Sequence, residues 1–123
     1  MQLLLVMIGG ALGSGARFLT SRAMLAWLGP VFPYGTLAVN LVGGLLMGLL
    51  VGMLARIGGS EDWRLFVGVG LLGGFTTFSA FSLDLVTMIE RGAATVALGY
   101  ALASVIGAAL ALFAGLTLAR SVA

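Results

Sequence analysis

The sequence contains no cysteine and no histidine. The first absence removes disulfides and thiol chemistry, and says nothing about redox compartment. The second removes the side chain most used for proton transfer near neutral pH, and the two together remove the commonest transition-metal ligands. Lysine is missing too, so six arginines carry all the positive charge against four acids, for a formal net charge of +2. A balance this small is no nucleic-acid footprint, even with a sequence pI near 10.0. Charged residues make up only 8% of the 123-residue chain, where a soluble domain carries about 25%. What fills the space is apolar, 61% of all residues. Such a chain belongs in a bilayer.

A membrane-spanning helix needs roughly 20 mostly apolar residues, so the length predicts one domain, residues 1–123, with four spans and short connections. Span one is expected over 2–28 and stops at Gly29-Pro30-Val31-Phe32-Pro33, which holds both prolines of the chain. It lacks a basic leading region and a small-residue cleavage site, and is read as a retained span rather than a signal peptide. Span two is expected over 35–57 and closed by Gly58-Gly59. Ser60 followed by Glu61 and Asp62 reads as a helix cap with acids in the first turn. Span three follows over 61–91, and span four over 93–118 with Arg120 as its interfacial anchor.

Span three is the unusual one. At 1.5 Å per residue, the stretch from Gly73 lies about 20 Å from either end, close to the bilayer midplane. Glycine pairs and adjacent threonines are poor helix formers, so the helix is expected to unwind over 73–77. In lipid, the backbone groups released there must face protein, a watery cavity or a ligand. Small residues elsewhere have a plainer role. Gly44, Gly48 and Gly52 form a four-residue stripe, as do Gly99, Ala103, Gly107, Ala111 and Gly115, and Gly9 with Gly13; such stripes let membrane helices approach closely.

Four spans put both termini on one side. Arg56, Arg64 and Arg120 then lie on the terminal side, with Arg22 and Arg91 opposite, joined by Arg17 if it reaches the surface. Orientation follows the arginine and lysine bias of the loops, and here there is none. The expectation is a chain that inserts both ways and assembles as an antiparallel, dual-topology homodimer; the alternative is a parallel oligomer oriented by something else.

The interior polar residues Asn40, Thr76, Thr77, Ser79, Ser82, Tyr100 and Ser104 are neutral and rich in hydrogen-bond donors. They lack the parts for nucleophilic or metal-assisted catalysis, so no enzyme is expected. A row of neutral donors suits a small solute or anion that must bind weakly enough to leave. Tyr100 and Ser104, four residues apart, share one helix face and form either a wall of such a path or interhelical hydrogen bonds. Phe78 and Phe81 also share a face, ordinarily for packing, yet they stand at the start of a resumed half-helix. Their positive ring edges can accept an anion weakly.

Three long motifs in order carry a resemblance over the whole chain. Gly70-Leu71-Leu72-Gly73-Gly74-Phe75-Thr76-Thr77-Phe78-Ser79-Ala80-Phe81-Ser82 resembles the third-helix motif of the Fluc (CrcB-type) fluoride channels. Pro33-Tyr34-Gly35-Thr36-Leu37-Ala38-Val39-Asn40-Leu41-Val42-Gly43 is similar to that family's second-helix motif, and Gly9-Gly10-Ala11-Leu12-Gly13-Ser14-Gly15-Ala16-Arg17-Phe18 to its first. The resemblance implies a dual-topology homodimer in the cell's inner (plasma) membrane with two pores, passing fluoride passively out of the cell. It implies a structural sodium ion at the dimer centre, held by backbone carbonyls of Gly73 and Thr76. It places Phe78, Phe81, Asn40, Ser79, Thr77, Tyr100 and Ser104 along the fluoride pathway and Arg17 near a vestibule. Ala108 departs from the pattern, standing where the polar track would continue. Two other readings compete. A small dual-topology drug/proton exporter would need a titratable carboxylate deep in the membrane, and Asp84, six residues from Glu90, reads as closer to an interface. A non-transporting membrane assembly subunit would conduct nothing.

Overall fold

The computed structural model describes residues 1–122. Helix α1 spans Gln2–Leu28 and α2 spans Tyr34–Ile57. The third span begins as α3, Glu61–Trp63, runs on as a π-helix, Arg64–Leu72, and ends its first part as α4, Gly73–Phe75. It resumes as α5, Ser79–Glu90, and α6 closes the fold over Ala94–Ser121. Among the described residues, four helical segments, counting Glu61–Glu90 as one, are long and apolar enough to cross a membrane. Their outer faces carry exposed Leu3, Leu19, Val105 and Phe113, side chains at home in hydrocarbon. Trp27 and Trp63 are exposed at opposite ends, the depth at which indole rings favour the membrane interface.

The boundaries have local causes. Gly58 ends α2 in the left-handed conformation, φ 64° and ψ 40°, and its N–H returns to Leu54 O; a residue with a Cβ resists that geometry. Ser60 Oγ accepts the Trp63 N–H, with Glu61 and Asp62 in the first turn. At the far end of α6, Arg56 Nη1 donates to Ala119 O and Arg120 O, covering two carbonyls that a helix end leaves without partners.

The helices associate as two parallel pairs, each sealed by glycine against backbone. In the first, α2 lies along α6. A Cβ on Gly44 would stand 2.8 Å from Ala108 O, and one on Gly48 would collide with Leu112 O. Gly52 faces Leu116 and Ala119, while Gly115 returns the contact against Leu45 O. In the second, α1 lies along the third span: Gly9 against Phe66 O, Gly13 against Leu71 O, and Gly74 against Gly10 O, where a Cβ would come within 2.6 Å. Close approach is the source of dispersion energy in lipid, where no hydrophobic drive separates helix from tail. One stripe position differs from expectation: Gly99 has no neighbour within 4 Å of where its Cβ would be, so it takes no part in the seam.

The interruption of the third span is narrower than the sequence suggests. Gly73 stays helical at φ −61° and ψ −39°, and helix continues through Phe75. The backbone leaves it at Thr76, which is extended at φ −86° and ψ 161°. The glycine pair is consumed by packing: Gly74 must press on Gly10, and a helix held flush against a neighbour has no room to unwind. The change of course falls one turn later, at Thr76, Thr77 and Phe78.

Candidate functional site

Two side chains from other helices secure the interrupted backbone. Asn40 on α2 makes a reciprocal pair with Thr77: its Nδ2 donates to Thr77 O at 3.0 Å, and its Oδ1 accepts the Thr77 N–H at 2.9 Å. On the other side, Arg17 on α1 donates from Nε to Gly74 O at 3.0 Å. Buried backbone groups left without partners cost about 1–3 kcal/mol each, so these three bonds carry much of what makes an interruption tolerable here. Thr76 helps itself, with both its N–H and Oγ1 donating to Leu72 O.

Thr77 also starts the next helix. Its Oγ1 accepts the Ala80 N–H at 3.2 Å and lies 3.4 Å from Ser79 Oγ, the geometry of an N-cap. The positive end of α5 therefore begins beside Asn40. Phe78 and Phe81 follow, ring centroids 5.6 Å apart and tilted by 51°. They differ in surroundings: Phe81 is 7% exposed and stacks at 5.1 Å on Tyr100, whereas Phe78 is 76% exposed.

These elements border a groove of about 470 Å³. Asn40, Thr76, Thr77, Phe78, Phe81 and Ser104 line it, with Gly73, Ala108 and apolar Met47, Val105 and Leu112 completing the wall. Its lining contains no charged side chain. Ser104 is 6% exposed, and its hydroxyl is the one buried side-chain polar atom among the described residues without a hydrogen-bond partner. An orphan of this kind calls for a ligand or water. Asn40 retains one amide N–H beyond the bond to Thr77, because its NH₂ holds two donors.

Two residues placed on the pathway by resemblance, Ser79 and Tyr100, and the vestibule residue Arg17 are not part of this lining. Ser79 is exposed beside the groove, touching Thr77. Arg17 sits behind the interruption on the Gly74 carbonyl rather than in the lining. Tyr100 is 1% exposed, its hydroxyl donating to Asp84 Oδ2 at 3.0 Å. Asp84 borders a second cavity of about 330 Å³ at the non-terminal end, walled by the Gly29–Pro33 turn with Ser21, Thr36, Thr87 and Arg91. The Asp84–Tyr100 pair was missed from sequence because its members lie 16 residues apart. The available signal was a carboxylate inside an otherwise apolar span.

Four apolar spans, three of which line a groove of neutral donors, define a multi-pass membrane protein. The sequence pattern of the family described as "CrcB-like protein, Camphor Resistance (CrcB)" matches residues 4–116. The chain belongs to that family. It is 60% identical over 120 residues to a protein of Mesorhizobium japonicum named "Fluoride-specific ion channel FluC", covering 98% of this chain and 97% of the relative. Proteins of the same name from Sphingopyxis alaskensis and Phenylobacterium zucineum are each 60% identical, over 94% and 98% of this chain and 92% and 96% of theirs. These relatives are named as channels, not enzymes.

Proposed function

We propose that the protein is a fluoride-selective channel of the plasma membrane that lets fluoride leave the cell down its gradient and so limits its toxicity. The observation that carries this reading is the unpartnered hydroxyl of Ser104, buried in a groove with no charge in its lining. Fluoride is small and strongly hydrated, so a site that strips its water must offer several donors. Neutral donors do this without the trapping a fixed cation would cause. Ser104 Oγ, the spare Asn40 N–H and the start of α5 supply them, and the rings of Phe78 and Phe81 stand along the same wall. The names of the relatives point to the same ion.

The functional unit in this reading is an antiparallel homodimer with two pores. The groove is open to the outside of the single chain and Phe78 stands exposed at its edge; a second copy would cover both. The lack of arginine bias between the two faces favours insertion in both orientations. A structural sodium ion also fits the residues present. In a regular helix the Thr77 N–H would bond to Gly73 O, but Asn40 takes it, releasing that carbonyl. Gly73 and Thr76 both line the groove, and backbone oxygens suit a hard cation. Such an ion would fix the two subunits by charge. The groove lacks a titratable group, which argues against a coupled drug/proton exporter.

The test is fluoride efflux from proteoliposomes containing only this protein, with chloride as control. Fast fluoride and negligible chloride efflux are expected. No fluoride flux, the result a non-transporting assembly subunit gives, or chloride moving as fast would sink the reading.

A further inference from the structure

The Asp84–Tyr100 pair has no part in the groove chemistry just described, yet it lies between the groove and the cavity at the membrane face: Phe81, which packs on Tyr100, lines the first, and Asp84 lines the second. Tyr100 is held tightly: Phe81 packs on its ring at 5.1 Å, and Phe32 meets it nearly edge-on, with centroids at 5.4 Å and planes at 83°. With the ring fixed, only the hydroxyl hydrogen can turn, and a phenol has one. That hydrogen goes to Asp84 Oδ2. Asp84 lies in the third span, where a carboxylate is costly and rarely without a task. No arginine neutralises it at close range. Arg91 lines the same cavity, but the one ion pair among the described residues is Arg64–Glu61 on the other face. From the remaining walls, Ser21 on α1 and Thr36 on α2 bring only hydroxyls.

We propose that Asp84 is a positioning residue for Tyr100: from the wall of the mouth cavity its carboxylate holds the hydrogen of the buried phenol, and an anion passing between mouth and groove must compete with Asp84 for it. This rests on the fluoride-channel reading. A hydrogen bond to a carboxylate is about twice as strong as one between neutral groups, so Asp84 acts as a brake on passage. Its amide counterpart would hold the phenol weakly and release it to the anion. Phe81 packs on the same ring, so the step at the mouth lies directly beside the phenylalanine pair.

The test is fluoride efflux from proteoliposomes containing the wild type, Asp84→Asn and Asp84→Glu, each also combined with Tyr100→Phe. Asp84→Asn is expected to speed efflux severalfold, Asp84→Glu to keep the wild-type rate, and Tyr100→Phe to erase the difference between Asp and Asn. An equal gain from Asp84→Asn without the phenol would mean simple charge repulsion and overturn the proposal, as would slower efflux in Asp84→Asn. A second measurement leaves Asp84 intact. In a Tyr34→Phe background Tyr100 is the only tyrosine, and its Cζ resonance should shift as fluoride is added; a resonance unmoved at saturating fluoride overturns the competition. A wild type that moves no fluoride defeats the channel reading and this proposal together, whereas a conducting wild type with an inert Asp84→Asn defeats only this one.

Discussion

The two helix pairs use the same device and reach different ends. In the α2–α6 pair, glycine meets backbone from Gly44 to Gly115, and both helices stay regular throughout. In the α1 pair, glycine meets backbone just as closely at Gly9, Gly13 and Gly74, but the partner is a π-helix that then departs from helix altogether at Thr76. The difference lies in polar side chains. Arg17 and Asn40 reach the interrupted segment from the helices on either side, whereas between α2 and α6 the corresponding bonds, from Arg56 to Ala119 O and Arg120 O, fall at the helix end. Small residues bring membrane helices together, and whether the backbone can then break depends on who receives its hydrogen bonds.

Five substitutions put that contrast under strain. The largest effect is expected for Gly48→Val, whose Cβ collides with Leu112 O. Overpacking of this kind should cost about 3 kcal/mol or more, seen as loss of the assembled protein in detergent. Gly99→Val, facing open space, should fold normally, and equal loss at both would mean the seam is not what selects glycine. Next, Asn40→Ala leaves both the N–H and C=O of Thr77 unpaired and should destabilise by about 2–4 kcal/mol, while Arg17→Met frees only Gly74 O and should cost about 1–2 kcal/mol. Thermal unfolding of the two variants tests that order, and a reversal would give Arg17 the larger share of the repair. The smallest structural effect is expected for Ser104→Ala. Removing a hydroxyl that has no partner should change stability by no more than about 0.5 kcal/mol, yet slow fluoride efflux severalfold. Unchanged flux would take Ser104 out of the pathway.

Much of the frame was open to reading along the chain. Helices at Gln2–Leu28 and Tyr34–Ile57 lie within a residue of the expected 2–28 and 35–57, because prolines and glycine stops act locally. The last helix runs on to Ser121, past the expected 118, since Arg120 needs no loop to reach an interface. The interruption, expected over 73–77, leaves Gly73 and Gly74 helical and begins at Thr76 for a different reason. Propensity singles out Gly73 and Gly74 as weak helix formers, but it cannot see Gly10 pressing on Gly74 and holding it in helix.

The site was legible in its parts and not in its pairings. That Asn40, Thr77 and Ser104 are neutral donors in apolar surroundings follows from residue type and hydropathy, and three motifs in order point to the family. That Asn40 spends its carbonyl and one N–H on Thr77, that Arg17 holds Gly74, and that Tyr100 donates to Asp84 are matters of which helix faces lie opposite each other. The sequence by itself determined a four-span membrane protein with a neutral polar interior, because span length, hydropathy and helix stops are properties of the chain and of lipid. Only the tertiary structure decided where the third span breaks and which donors stay free, because both depend on contacts between residues far apart in the chain, such as Gly10 with Gly74 and Arg17 with Gly74.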